Sequence, residues 1–105
     1  MTKIIVLLNL KDGKSAADYE NWARTTDLPT VNGLASVSKF QVFQSTGLLG
    51  SEDKPPYDYI EIIDVADMEK FGEEASTEAM GKIAAEFQEW ATPIFILTRD
   101  IEAAA

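Results

Sequence analysis

Residues 3–10 read KIIVLLNL, a nearly unbroken apolar run of strand length. Side chains alternate between the two faces of a sheet, so a strand with one wet face should alternate apolar and polar. Here Ile4, Val6 and Leu8 point one way, and Ile5 and Leu7 point the other. Near the far end of the chain, Ile94 and Ile96 likewise oppose Phe95 and Leu97. Both faces of such a sheet need cover, and burying one large apolar side chain is worth about 1.5–3 kcal/mol.

The remaining pattern tells how much cover the chain supplies. Asp12-Gly13 marks a turn, and Ser15, with Asp18 three residues on, starts a helix. Tyr19, Trp22, Ala23 and Thr26 share one face of that helix. Leu28-Pro29 is expected to stop it, because the residue before a proline is steered out of the helical region. Asn32-Gly33 reads as a turn. Strands are expected over 35–45 (ASVSKFQVFQS), 57–65 (YDYIEIIDV) and 94–101 (IFILTRDI). Residues 46–56 form the one long loop. Asp67 caps a helix carrying Met68 and Phe71 and weakened by Gly72. Ser76 or Thr77 caps the next segment, where Met80, Ile83, Ala84, Phe87 and Ala91 keep helical spacing until Pro93.

The order is β-α-β-β-α-β with a broken second helix. This is an α+β, ferredoxin-like arrangement: a four-stranded antiparallel sheet with helices on one face. The 105 residues make one domain, 1–105, with little surface to spare for a second layer. The uncovered sheet face therefore predicts a two-fold homodimer packed sheet to sheet; the alternative is a monomer with a partly apolar face.

Charge and composition narrow the function. A net charge of −9 speaks against nucleic acid and against an anionic membrane as partners. With no Cys and no His, thiolate chemistry, imidazole catalysis and the common metal ligands are absent. Glu52-Asp53 lies in a Pro-bounded loop without ligand spacing, so no metal and no cofactor are expected. The short run Ile4–Leu8 is too brief for a signal peptide or a membrane span, and a cytoplasmic protein is expected.

Several residues could carry chemistry. Glu61 sits in the middle of YIEII, where a carboxyl either faces solvent or lies in a low-dielectric site that raises its pKa. A raised pKa suits a general acid or base; the structural alternative is an ion pair with Arg99 or Lys39. Asp27 could activate a ligand hydroxyl or N–H, or could simply cap a turn. Tyr57, Tyr59 and Glu61 share a strand face by alternation. Tyr19, Trp22, Thr26 and Trp90 would complete an aromatic wall, with Arg99 as a basic partner, unless the aromatics are only core. Arg24 lies off that face and is read as solvated.

Two segments carry a resemblance. YENWARTTDLPTVNGLASVSKFQVF resembles the first helix and second strand of the EthD-like branch of the dimeric α+β barrel superfamily. YDYIEIIDVADMEKF resembles its third strand and following helix, where a Glu in the strand and an Asp at the helix start recur. The group it is most similar to is the RedY/HapK-like one, linked to prodiginine pigment pathways. The resemblance implies a homodimer and a small aromatic, pyrrole-type ligand. It also implies a role in secondary metabolism as a cofactor-free enzyme; the alternatives are a non-catalytic binding or carrier protein and a pure dimeric interaction module whose pocket is filled by its own side chains. Many members carry a His near the end of the first helix; here that region reads Thr25-Thr26-Asp27, which counts against a His-ligated haem.

Overall fold

A computed structural model describes residues 2–104. Four strands, β1 (Thr2–Leu8), β2 (Val37–Gln44), β3 (Tyr59–Val65) and β4 (Ile94–Leu97), form one sheet in the order β2-β3-β1-β4. Every neighbouring pair is antiparallel. The helices are α1 (Ala16–Trp22), α2 (Leu28–Asn32), α3 (Met68–Ala75) and α4 (Glu78–Trp90). They cover the face that carries Ile4, Val6, Leu8, Phe40, Tyr59, Glu61, Ile63 and Val65, all buried. The ferredoxin-like α+β arrangement expected from the sequence is the one observed.

The strand cores match their expected positions, and their ends are shorter. β1 stops at Leu8, and Leu10 makes only an isolated bridge to Ala91. β3 starts at Tyr59, so Tyr57 belongs to the preceding loop and not to the strand face assigned to it. β4 stops at Leu97, which leaves Arg99 outside the sheet and exposed. In β2 a bulge between Val37 and Lys39 explains the mixed spacing. The extra residue lets Val37 and Phe40, three apart, both point to the helices.

The helix does not stop at Leu28-Pro29. α1 runs through a π-helical turn, Ala23–Asp27, directly into α2, with Pro29 in its first turn. In a regular helix Pro29 would crowd the carbonyl four residues back and leave it unbonded. The π turn opens the ladder at that point: the Leu28 N–H reaches back five residues to the Ala23 carbonyl. A proline near a helix start loses nothing that the first turn would use. The preference against a helical residue before proline is thus overridden by a local change of helix type.

Side chains then fasten the helices to the sheet's edge. Asn32 accepts from the Phe40 N–H at 2.9 Å and donates to the Phe40 carbonyl at 3.1 Å. This occupies backbone groups that an edge strand would otherwise leave open. The helix starts are capped as expected: Ser15 Oγ accepts from the Asp18 N–H, Asp67 from Lys70 and Thr77 from Met80.

The Asn32 clamp is testable. Asn32→Ala should lower unfolding free energy by about 1–2 kcal/mol through its three lost side-chain hydrogen bonds, two with Phe40 and one to the Leu28 carbonyl. In a denaturant titration the midpoint should fall with the slope unchanged; an unmoved midpoint would mean that the clamp carries no stability.

Candidate functional site

Glu61 lies at the centre of β3, opposite Val6 on one side and Val42 on the other. The strand's alternation turns it inward under the helices, and it is 2% exposed. Tyr19, wholly buried on α1, donates its phenol O–H to Glu61 Oε2 at 2.9 Å. Burial, and then the nearby Asp27 charge, push the Glu61 pKa up to about 8, against the opposing pull of the Tyr19 hydrogen bond. The phenol itself is held well above the ordinary tyrosine range, by burial and by Glu61.

Asp27 is brought in by the π turn. It is 5% exposed and makes no side-chain capping bond, so it is not the turn cap that its position suggested. Burial pushes its pKa up to about 7. Asp27 and Glu61 both line a cavity of about 120 Å³ between the helices and the sheet. Every other side chain lining it is apolar, Val31, Phe40, Ile63, Ile83, Phe87 and Phe95 among them.

The expected ion pair for Glu61 does not form. Lys39 is exposed on β2, facing Asp64 in register, and Arg99 lies beyond β4. Lys39 follows the bulge and so points away from the helices. Glu61 instead relies on a neutral donor, Tyr19, and on holding its own proton.

The aromatic residues pack behind the carboxyls. Tyr19 sits 4.8 Å from Tyr59 and 6.1 Å from Trp90, centroid to centroid. Trp22 stacks on Phe87 at 6.1 Å and tilts against Trp90 at 6.4 Å. Of these rings, Phe87 alone borders the cavity. Trp22 Nε1–H is buried without a hydrogen-bond partner among the described residues, so the region holds an unused donor. Tyr59 donates to Glu20 at 2.6 Å, and Glu20 also pairs with the exposed Arg24. Thr26 is half-buried and does not line the cavity. Tyr57 lines a separate, more open groove together with Lys11, Lys14, Lys54 and Tyr59.

Phe71, Met80, Ile83 and Phe95 line the cavity without having been singled out as site residues. Helical spacing marks Met80, Ile83 and Phe87 as an inward face. Only packing decides that this face leaves a gap beside Glu61. Among the described residues, no group of three or more Asp or Glu side chains could hold a metal ion. No helix among the described residues is long and apolar enough to cross a membrane.

The model of the family described as REDY-like protein HapK matches residues 2–101. The chain belongs to that family. Its fold is that of HapK from Hahella chejuensis, at 24% identity and a TM-score of 0.79, covering 100% of this chain and 97% of that one. An ethyl tert-butyl ether D (EthD) family protein from Bacillus halodurans C-125 matches at 14% identity and a TM-score of 0.75, over 96% and 99% of the two chains. SnoaB from Streptomyces nogalater, a cofactor-independent oxygenase, matches at 12% identity and 0.73, over 97% and 94%. No curated protein matches this sequence. At these identities the structural matches establish the fold, and they agree with the superfamily that the two sequence segments resemble.

The raised carboxyl pKa values make stability depend on pH. Folded Glu61 and Asp27 keep protons that the unfolded chain, titrating near 4.5 and 3.8, gives up. Between those values and about 7–8 the folded state binds more protons, so stability falls as pH rises. Glu74 works in the opposite sense: Ser36 holds its pKa below the ordinary value, and its support is lost as pH falls. The unfolding free energy should therefore drop by several kcal/mol, at most about 7, from near pH 5 to near pH 9. The double substitution Glu61→Gln with Asp27→Asn should flatten that slope; an unchanged slope would place the protons elsewhere.

Proposed function

We propose that the protein is an auxiliary protein of secondary, prodiginine-like metabolism that binds a small aromatic metabolite between the π-helical end of the first helix, at Asp27, and the sheet. There it acts as a cofactor-free acid/base catalyst. The observation that carries this reading is the pair of buried carboxyls, Glu61 and Asp27, beside an otherwise apolar cavity. Near neutral pH Glu61 keeps its proton and Asp27 is partly ionised, because burial raises both carboxyls and Glu61 the further. Glu61, with Oε2 held by Tyr19, keeps Oε1 free to give a proton to a ligand. Tyr19 then stabilises the carboxylate left behind. Asp27, the weaker proton holder, is the base that takes a proton from the ligand. The SnoaB likeness supports the reading in one respect: this fold supports chemistry without a cofactor in that protein.

The working unit in this proposal is a homodimer joined through the outer sheet face. That face carries Ile5, Leu7, Ile60 and Ile62, with Phe43, Ile94 and Ile96 exposed around them. The Lys3–Asp64 ion pair, at 3.0 Å, borders the apolar strip at one end. Burying such a strip against its copy leaves a polar rim and an apolar centre.

A non-catalytic carrier is the second reading. It is favoured by the small size of the cavity, since the aromatic rings already fill much of the space behind it. Native mass spectrometry of the protein from its own host addresses both readings. A dimer with a retained aromatic-sized mass is expected, and a ligand-free monomer would sink both the site and the interface. Glu61→Gln should then keep the bound mass and abolish its conversion if the protein is an enzyme. In a carrier there is no conversion to lose, and affinity alone changes.

The interface has its own test. Ile62→Asp should turn the dimer into a folded monomer in light scattering, with the Tyr19–Glu61 pair untouched on the opposite face. A dimer that survives this change would place the contact elsewhere.

A further inference from the structure

A groove of about 400 Å³ lies at the end of the sheet where β1 finishes and β3 begins. It shares no lining residue with the cavity beside Glu61. The loop between β1 and α1 forms one wall and the segment leading into β3 forms the other. Lys11, Lys14 and Lys54 line it, and the only carboxyls among its lining residues are Asp12 and Asp58. The chain as a whole carries nine cations against eighteen carboxyls, so the groove reverses the overall balance. Asp58 is also occupied, its Oδ2 accepting from the Leu10 N–H at 3.0 Å. None of the three lysines forms an ion pair among the described residues.

The two walls are fixed to each other. The Asn9 side chain accepts from the Asp58 N–H at 2.9 Å and donates to the Pro56 carbonyl at 3.0 Å. The Asp12-Gly13 turn, with Gly13 at a φ of +82°, closes through the Lys14 N–H on the Lys11 carbonyl at 3.1 Å. The two ends of such a turn are neighbours, which brings Lys11 and Lys14 to one place on the wall. Lys14 Nζ lies 5.2 Å from the Trp90 ring centroid, a contact that steadies the side chain without neutralising it.

We infer that this groove is a second binding site, and that its ligand is a small aromatic phosphate ester. Three ammonium groups along one groove match an anion with more than a single charge. A phosphate monoester carries about −1.5 to −2 near neutral pH, whereas a carboxylate carries only one charge. Lysine binds phosphate as a point charge, without the directional fork that a carboxylate partner exploits in arginine. The net charge of −9 repels anions from the rest of the surface, and a concave site concentrates the local positive field. The flat part of the ligand rests against Tyr57 and Pro55, both half-buried. The volume falls within the range of about 300–1,000 Å³ usual for small-molecule sites.

An NMR titration of the backbone amides with phenyl phosphate, inorganic phosphate, benzoate and benzyl alcohol tests this. Phenyl phosphate should shift the amides of Lys11, Lys14, Lys54 and Tyr57 and leave those of Ile83 and Phe87, which line the other cavity, in place. It should bind about fivefold or more tighter than the other three probes. Raising the ionic strength from about 0.05 M to about 0.5 M should weaken it by about tenfold. Lys11→Gln with Lys54→Gln should cut its affinity by about tenfold. Lys70→Gln with Lys82→Gln removes the same charge from α3 and α4 and should change affinity by about twofold at most. All four lysines are exposed and outside ion pairs among the described residues, so both variants should fold. Benzoate or inorganic phosphate binding as tightly as phenyl phosphate overturns the ester assignment. Equal losses in the two double variants, shifts centred on Ile83 and Phe87, or no shift with phenyl phosphate overturn the site itself.

Discussion

The hydrogen bond from Tyr19 to Glu61 joins the first helix to the middle strand of the sheet, and much of the site is arranged around it. A carboxyl buried among apolar side chains is costly in its charged form and tolerable in its protonated form. Glu61 is held there by a neutral donor that is itself wholly buried. The Tyr19 ring in turn packs against Tyr59 and Trp90, which ties β3 and α4 to the same point. Removing the polar contact would leave a buried acceptor unmet in the centre of the core, which is why this one contact constrains three elements at once.

The π turn has a comparable role for the second carboxyl. One extra residue in the turn upstream of Pro29 lets the helix continue and presents Asp27 to the cavity. Asn32, at the end of the continued helix, is fixed to the edge strand at Phe40, itself a lining residue. Asp27 is thus placed by backbone geometry anchored on both sides, with no side-chain hydrogen bond of its own among the described residues. π turns are often found at functional sites, since they re-aim side chains at a local cost in helix regularity.

β3 links the site to the outer face of the sheet. Tyr59, Glu61 and Ile63 point to the helices, and Ile60 and Ile62 point away. A one-residue slip in its pairing would exchange the two sets. The register against both β1 and β2 therefore decides at once whether the carboxyl is buried and whether the apolar strip is outside. The Lys3–Asp64 pair and the β2 bulge help to hold that register.

Much of this could be read from the chain alone. The two-sided apolar strands, the capped helices and the element order follow from period-two and helical spacing, which are local properties of neighbouring residues. Glu61 stood out because a lone carboxyl in an apolar strand has few places to go. β3 starts two residues later, and β4 ends four residues earlier, than the strand-like sequence around them suggests. That displaced Tyr57 and Arg99 from the site, because pairing partners and not composition end a strand. Leu28-Pro29 looks like a stop in the sequence because spacing arguments assume one helix type throughout, and the π turn breaks that assumption. What the sequence determined by itself is which side chains lie inward along each element. What only the tertiary structure decided is the distance between elements: that Tyr19, not Arg99 or Lys39, meets Glu61, and that a gap remains where Asp27 faces it. Those facts depend on contacts between residues far apart in the chain, and no local pattern records them.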